Sequence, residues 1–249
     1  MSPWTWLPAE PLFPLPLADT RAPLSTVLVR FGEERLLDAS LAADFGVVRY
    51  QGGPVSVQAG LAAAAFMGFQ AAGELTFELE TFDGTFAFPV DVGWRRLGVR
   101  AQWAHTSAHF ADGVRNDEDR PTDFESWSRE AVQVQAGWRF DLGRPYLGAS
   151  AVTHATTEGA PWGLQAGGEV WGPWKVAPYA AGDVQLAAEN GWEPGWSGQV
   201  GVHAWVGRQR FRLAMAGRSG PEDTGKLAGR EERWVGLLFG FDARVGERR

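Results

Sequence analysis

His105-Thr106-Ser107 sets an imidazole and a hydroxyl two residues apart. On a strand, that spacing puts both side chains on one face, about 7 Å apart at the backbone. A hydroxyl is a poor nucleophile until a base takes its proton, and the base must be held by a third group. Glu130 opens the next alternating segment and supplies a carboxylate for that third place. A Ser107 nucleophile, a His105 base and a Glu130 orienter would together transfer an acyl group from an ester. A plainer explanation competes: polar residues at a strand end mark the point where the strand leaves an apolar layer.

Both explanations depend on the strands that carry these residues. Leu97, Val99, Ala101 and Trp103 fall on one face, against Arg100 and Gln102. His105 and Ser107 continue the apolar parity. After a long polar stretch, Val132, Val134, Ala136, Trp138, Phe140 and Leu142 alternate with Gln133, Gln135, Arg139 and Asp141. Period-two alternation is the pattern of a ribbon with one apolar and one polar face. It recurs over 24–31, 37–50, 55–69, 84–93, 97–107, 131–142, 146–155, 162–172, 176–187, 196–206, 209–218 and 233–245. Residues 74–82 alternate too and extend the hairpin into 84–93. Apart from a short turn at 32–36, tight connections near 51–54, 94–96, 143–145, 173–175 and 207–208 alternate with longer polar ones at 70–83, 108–130, 156–161, 188–195 and 219–232. This asymmetry is that of an up-and-down outer-membrane barrel.

A soluble barrel or sandwich alternates in the same way with its faces reversed. Three features favour the membrane. The spans run about 10–12 residues, enough to cross a bilayer at a steep tilt. The polar face carries charges of both signs, Arg100, Arg139, Asp141, Glu169, Asp183 and Arg212, which suit a bore crossed by salt bridges. Trp103, Trp138, Phe140, Trp162 and Trp196 cluster near strand ends on the apolar face, as interfacial girdles do.

The chain has 249 residues, no cysteine and a net charge of −7. Disulfides and thiolate metal sites are excluded, and the charge argues against nucleic acid as a partner. No apolar run reaches the length of a transmembrane helix. Met1-Ser2-Pro3 leads straight into a Pro- and Trp-rich segment without the pattern of a signal peptide, as expected for a mature form with an added start residue. Residues 1–23 hold Pro3, Pro8, Pro11, Pro14, Pro16 and Pro23, a density that blocks helix and sheet interior. They read as an extended periplasmic arm with aromatic anchors Trp4, Trp6 and Phe13, either a disordered tail or a strap packed across a barrel mouth. Residues 24–249 form the barrel.

Other chemistry is weaker. Asp112, Asp117, Glu118, Asp119, Asp123 and Glu125 are dense enough for Ca²⁺ but match no EF-hand spacing, and a solvated acidic loop explains them as well. Gly195-Trp196-Ser197-Gly198 lacks the spacing of a hydrolase elbow. Thr224-Gly225-Lys226 lacks a Gly-rich lead. His154 and His203 lie on the polar parity, as hydrogen-bonding groups of the bore. No cofactor or metal is expected.

The segment Pro3-Trp4-Thr5-Trp6-Leu7-Pro8-Ala9-Glu10-Pro11-Leu12-Phe13-Pro14, continuing through Leu17-Ala18-Asp19, resembles the start of domain-of-unknown-function family 1207. His105-Thr106-Ser107-Ala108-His109-Phe110-Ala111-Asp112 resembles that family's pattern after its central strand. The resemblance implies a bacterial outer-membrane barrel and brings no activity. The His-x-Ser pair is also similar to that of outer-membrane phospholipase A and the lipid A deacylase. There it lies on a strand at the extracellular end, with its partner on the next strand and the site facing lipid. That similarity implies a serine acyl hydrolase of phospholipid or lipid A, with His105, Ser107 and Glu130 in the roles above. The phospholipase continues with Asn-Gly where this chain has Ala108-His109, which leaves the oxyanion donors unassigned. The expectation is an all-β, up-and-down antiparallel transmembrane barrel of about twelve strands in the outer membrane, monomeric or dimeric, with both termini periplasmic. Its partner is membrane lipid or lipopolysaccharide. The alternative is a non-enzymatic barrel that scaffolds, binds a partner or forms a narrow channel.

Overall fold

A computed structural model describes residues 2–8, 11–32, 35–73, 76–111, 127–207, 209–222 and 225–243. The acidic residues Asp112, Asp117, Glu118, Asp119, Asp123 and Glu125 lie outside that set. The strands are β1 (Trp4–Trp6), β2 (Ser25–Phe31), β3 (Arg35–Gly52), β4 (Val55–Ala71), β5 (Phe77–Trp94), β6 (Leu97–Phe110) and β7 (Trp127–Trp138). They continue as β8 (Gly143–Ala155), β9 (Trp162–Trp171), β10 (Val176–Ala187), β11 (Pro194–Val206), β12 (Gln209–Pro221) and β13 (Glu231–Ala243). From β2 to β13 each strand pairs antiparallel with its neighbour in sequence, and β13 pairs back onto β2. The protein is a closed twelve-stranded up-and-down barrel. The extra strand β1 pairs with β3 at Val48, Arg49 and Tyr50, below the part of β3 that β2 covers.

The faces are those expected. Val134 and Trp138 are 46% and 42% exposed on the outer wall, whereas Gln135 and Arg100 point inward at 4% and 1%. Each of the twelve expected spans corresponds to one of the strands β2–β13, and three details differ. Residues 77–94 form a single strand, but a register shift lies where Phe69 meets Leu79 and Gly68 meets Thr81. Glu80 and Thr81 are both buried there. The extra residue flips the parity, so Phe77 and Phe82 both face outward. This is why 74–82 and 84–93 read as separate segments. The strand expected at 131–142 is Trp127–Trp138. Its alternation runs on through Phe140, which bridges only to Gly143 across the turn. Arg139 and Asp141 therefore sit at the turn rather than in the bore, and exposed Asp141 meets Arg96 at 3.3 Å.

The bore is filled with paired charge. Arg100 lies 2.7 Å from Asp91 and 2.8 Å from Asp44. Arg144 meets Glu169 at 3.0 Å, and Arg212 meets Asp242 at 3.1 Å. Tyr146 donates to Asp183 at 2.6 Å. A buried charge is tolerated only when paired and hydrogen-bonded, and these pairs cross between strands.

The arm does more than cover a mouth: it runs inside the barrel. Phe13 is fully buried, with the guanidiniums of Arg100 and Arg144 at 5.6 and 5.2 Å from its ring. Arg144 donates to the Pro14 carbonyl. The Leu17 N–H donates to Glu169 (2.9 Å), and Gln199 donates to the Leu17 carbonyl (2.6 Å). The Gln165 and Gln185 amides donate to Asp19, each at 3.0 Å. Arg21 reaches Asp83 at 2.8 Å near the long-loop end. Proline has no N–H, so a Pro-rich segment brings few donors that a bore would have to satisfy. Its carbonyls are met by side chains of the wall. Gly46 makes room for the entry: a Cβ there would sit 2.7 Å from Pro8 Cγ.

The arm divides the bore into a cavity of about 120 Å³ and a vestibule of about 780 Å³. Deletion of residues 2–22 is expected to open the bore. Planar-bilayer recordings should show a silent full-length chain and a conducting truncated one. Equal conductance in both would contradict a closing role for the arm.

Candidate functional site

The His105–Ser107 pair sits on β6, and cross-strand register brings it its neighbours. His105 lies directly opposite Glu130 of β7 and Phe86 of β5. Ser107 lies directly opposite Ser128 of β7 and Gly84 of β5. All of these share the outer parity, so one patch of the outer wall holds the three residues singled out by sequence. His105 Nδ1 is 3.8 Å from Glu130 Oε1, both groups being partly exposed. Directly opposed side chains in an antiparallel pair have Cβ atoms about 4.5–5.5 Å apart, so the contact follows from register. With Nδ1 turned to Glu130, Nε2 is the nitrogen left for a hydroxyl. No hydrogen bond joins Ser107 to His105 among the described residues.

The aromatic surroundings explain how the imidazole is held. Its ring centroid lies 5.1 Å from Phe86 and 6.5 Å from Trp103. Phe88 stacks on Trp103 at 5.8 Å. Beside this cluster is a shallow outer groove lined by Leu41, Ala43, Ala63, Ala65, Phe82 and Gly84, with His105 and Ser107 on its edge. Register builds its floor. Ala43, Ala63 and Phe86 form one row leading to His105, while Leu41, Ala65 and Gly84 form the next, leading to Ser107. Gly84 borders the hydroxyl: a Cβ there would lie 3.8 Å from Ser107 Oγ, an ordinary van der Waals contact. The groove is apolar, open along its length and as wide as the small residues allow.

Two residues of this patch were missed by sequence reasoning. Ser128 belongs to β7, which starts at Trp127, ahead of the alternation that is legible from Val132. Its hydroxyl stands across from Ser107 on the same wall. Strand N–H groups lie in the plane of the sheet, so an oxyanion donor facing the groove must come from a side chain, and Ser128 is placed for it. His109 is exposed on the same face two residues beyond Ser107, opposite Phe82. The spacing His-x-Ser-x-His was the available signal.

His154 and His203 part company. A register shift between β7 and β8 falls where Glu130 meets His154 and Ala131 meets Val152, and His154 is exposed instead of inside the bore. His203 is buried in the bore, stacked on Tyr179 with centroids 5.9 Å apart. Among the described residues no three His, Cys, Asp or Glu side chains are grouped to hold a metal ion.

No protein-family model matches the chain, and no curated protein does. Among solved structures, the transport unit of the autotransporter AIDA-I from Escherichia coli is similar at 13% identity, over 94% of each chain, with a TM-score of 0.39. A likeness that loose carries no residue or role across to this chain.

Proposed function

We propose that the chain is an integral outer-membrane barrel with both termini periplasmic, and that it works at its lipid-facing wall as a serine acyl hydrolase of outer-leaflet phospholipid or lipid A. The membrane part rests on the outward apolar residues around the wall, from Val27 and Val29 on β2 to Leu237 and Phe239 on β13. A wall of this kind in water would be an exposed hydrophobic surface far beyond what soluble monomers carry. Kinship with domain-of-unknown-function family 1207 would agree with this reading.

The observation that carries the hydrolase is the alignment of His105 with Glu130, with Ser107 on the same wall at the edge of the apolar groove. Ser107 Oγ attacks the acyl carbonyl carbon as His105 Nε2 takes its proton. Glu130 holds the ring and balances the imidazolium. The Ser128 hydroxyl donates to the oxyanion, and the groove receives the acyl chain. The proton on His105 passes to the leaving alcohol oxygen. Water then attacks the acyl-enzyme with His105 again as base, releasing the fatty acid and restoring Ser107.

A second reading is a non-enzymatic barrel. It is favoured by the ring of His105 sitting in the Phe86–Phe88–Trp103 cluster, as an interfacial girdle residue would. The open-channel form of that reading is disfavoured by the arm in the bore.

Two experiments test these claims. Val134→Arg on the outer wall should lower the stability of the barrel in lipid vesicles by roughly 2–4 kcal/mol in denaturant titrations, as for a mid-bilayer arginine. An unchanged midpoint would contradict membrane seating. Acyl release from phospholipid and lipid A vesicles should fall about 1,000-fold in Ser107→Ala, with heat-modifiable gel mobility confirming that the barrel is folded. Glu130→Gln should fall less than Ser107→Ala. A wild-type protein that releases nothing from either lipid ends the hydrolase reading and leaves the inert barrel.

A further inference from the structure

The vestibule at the short-turn end has a polar side that the wall satisfies only in part. Its volume of about 780 Å³ falls within the ~300–1,000 Å³ range of small-molecule sites. One side is apolar, formed by Pro8, Leu15 and Pro23 of the arm together with Trp171 and Phe241. The other carries Lys175, His203 and Arg210. Lys175 accepts the Trp205 N–H at its carbonyl, and Trp205 lies opposite Arg210. His203 lies one step deeper, opposite Arg212.

On that side, positive charge is in excess. Arg210 and Arg212 share a single carboxylate, Asp242, at 2.9 and 3.1 Å. Lys175 has no carboxylate partner among the described residues. The other acids of the lining lie away from Lys175: Asp44 shares Arg100 with Asp91, Asp141 meets Arg96 and Glu169 meets Arg144. His203 supplies the independent sign of a ligand. It is 7% exposed, lines the vestibule, and its Nδ1 has no hydrogen-bond partner. A buried ring nitrogen left unpaired costs free energy unless something entering the cavity pairs with it.

The ladder is interrupted beside the vestibule. β2 pairs with β3 only at residues 37–40 and β1 only at residues 48–50. Between them Ala43, Asp44, Phe45 and Gly46 line the vestibule. This stretch of the vestibule wall has no ladder partner on that side, and the cavity is open at the short-turn end.

We propose that the vestibule binds a single-chain anionic amphiphile, a long-chain fatty acid. Its carboxylate accepts from Lys175 and from His203, and its tail lies between the proline arm and the aromatic wall. The site adjoins the outer groove at Ala43 of β3 but does not depend on Ser107 being reactive.

Native mass spectrometry of the full chain, refolded in non-ionic detergent, tests this with oleate as probe. The folded barrel should retain one oleate and no methyl oleate. Lys175→Gln and His203→Leu should each weaken retention about tenfold, the scale of a lost charge-assisted hydrogen bond. Gel mobility reports folding. Lys175 is exposed, so its variant decides the matter if the His203 variant does not fold. Absence of an oleate adduct, equal retention of methyl oleate, or wild-type retention by Lys175→Gln would overturn the proposal.

Discussion

Closure of the hydrogen-bonded ladder governs the rest of this molecule. Among the described residues twelve strands pair in a ring and leave one free edge, where β3 outruns β2, so nearly all of the wall can stand in lipid with its backbone groups paired. Once the ring is closed, period two decides each side chain's surroundings. The outer parity must be apolar and the inner parity must fill a narrow bore. The inner parity brings Arg100, Asp44, Asp91, Arg144, Glu169, Arg212 and Asp242 together, and these groups are stable there because they neutralise one another across strands.

The proline arm completes that arrangement. A bore lined by arginines and glutamines presents donors, and the arm presents carbonyls with few N–H groups of its own. Arg144, Gln199 and Ser197 each donate to a carbonyl of the arm. A segment rich in ordinary residues would bring one donor per residue into the same space. The plug thus follows from composition, and it moves any chemistry away from the middle of the bore. What remains are two surfaces: the outer patch around Ser107, and the vestibule between the arm and the short turns.

Strands and faces were legible in the sequence because alternation is local. Alternation also misled where it persisted without pairing, as at Phe140, and where a bulge reversed it, as at Glu80 and Thr81. The arm's extended shape could be read from its prolines. Its position inside the bore could not, since that depends on donors from β8, β9 and β11. The candidate site divides in the same way. His105 and Ser107 announce themselves by spacing, and Glu130 by opening the next apolar run. Ser128, Ala65 and Gly84 join them only through the register of β4, β5, β6 and β7, which no single stretch of sequence records.

The most direct test of the account is a spin-label scan along β7, made clean by the absence of native cysteine. Single cysteines at residues 132 to 138, each labelled and reconstituted in vesicles, would be probed by collision with oxygen and with a water-soluble nickel chelate. The account predicts oxygen contact alternating with period two, high at 132, 134, 136 and 138 and low at 133, 135 and 137. Nickel contact high at 133 and 135, with 134 and 138 shielded from both reagents, would mean that the apolar face lines a dry interior, and would contradict it.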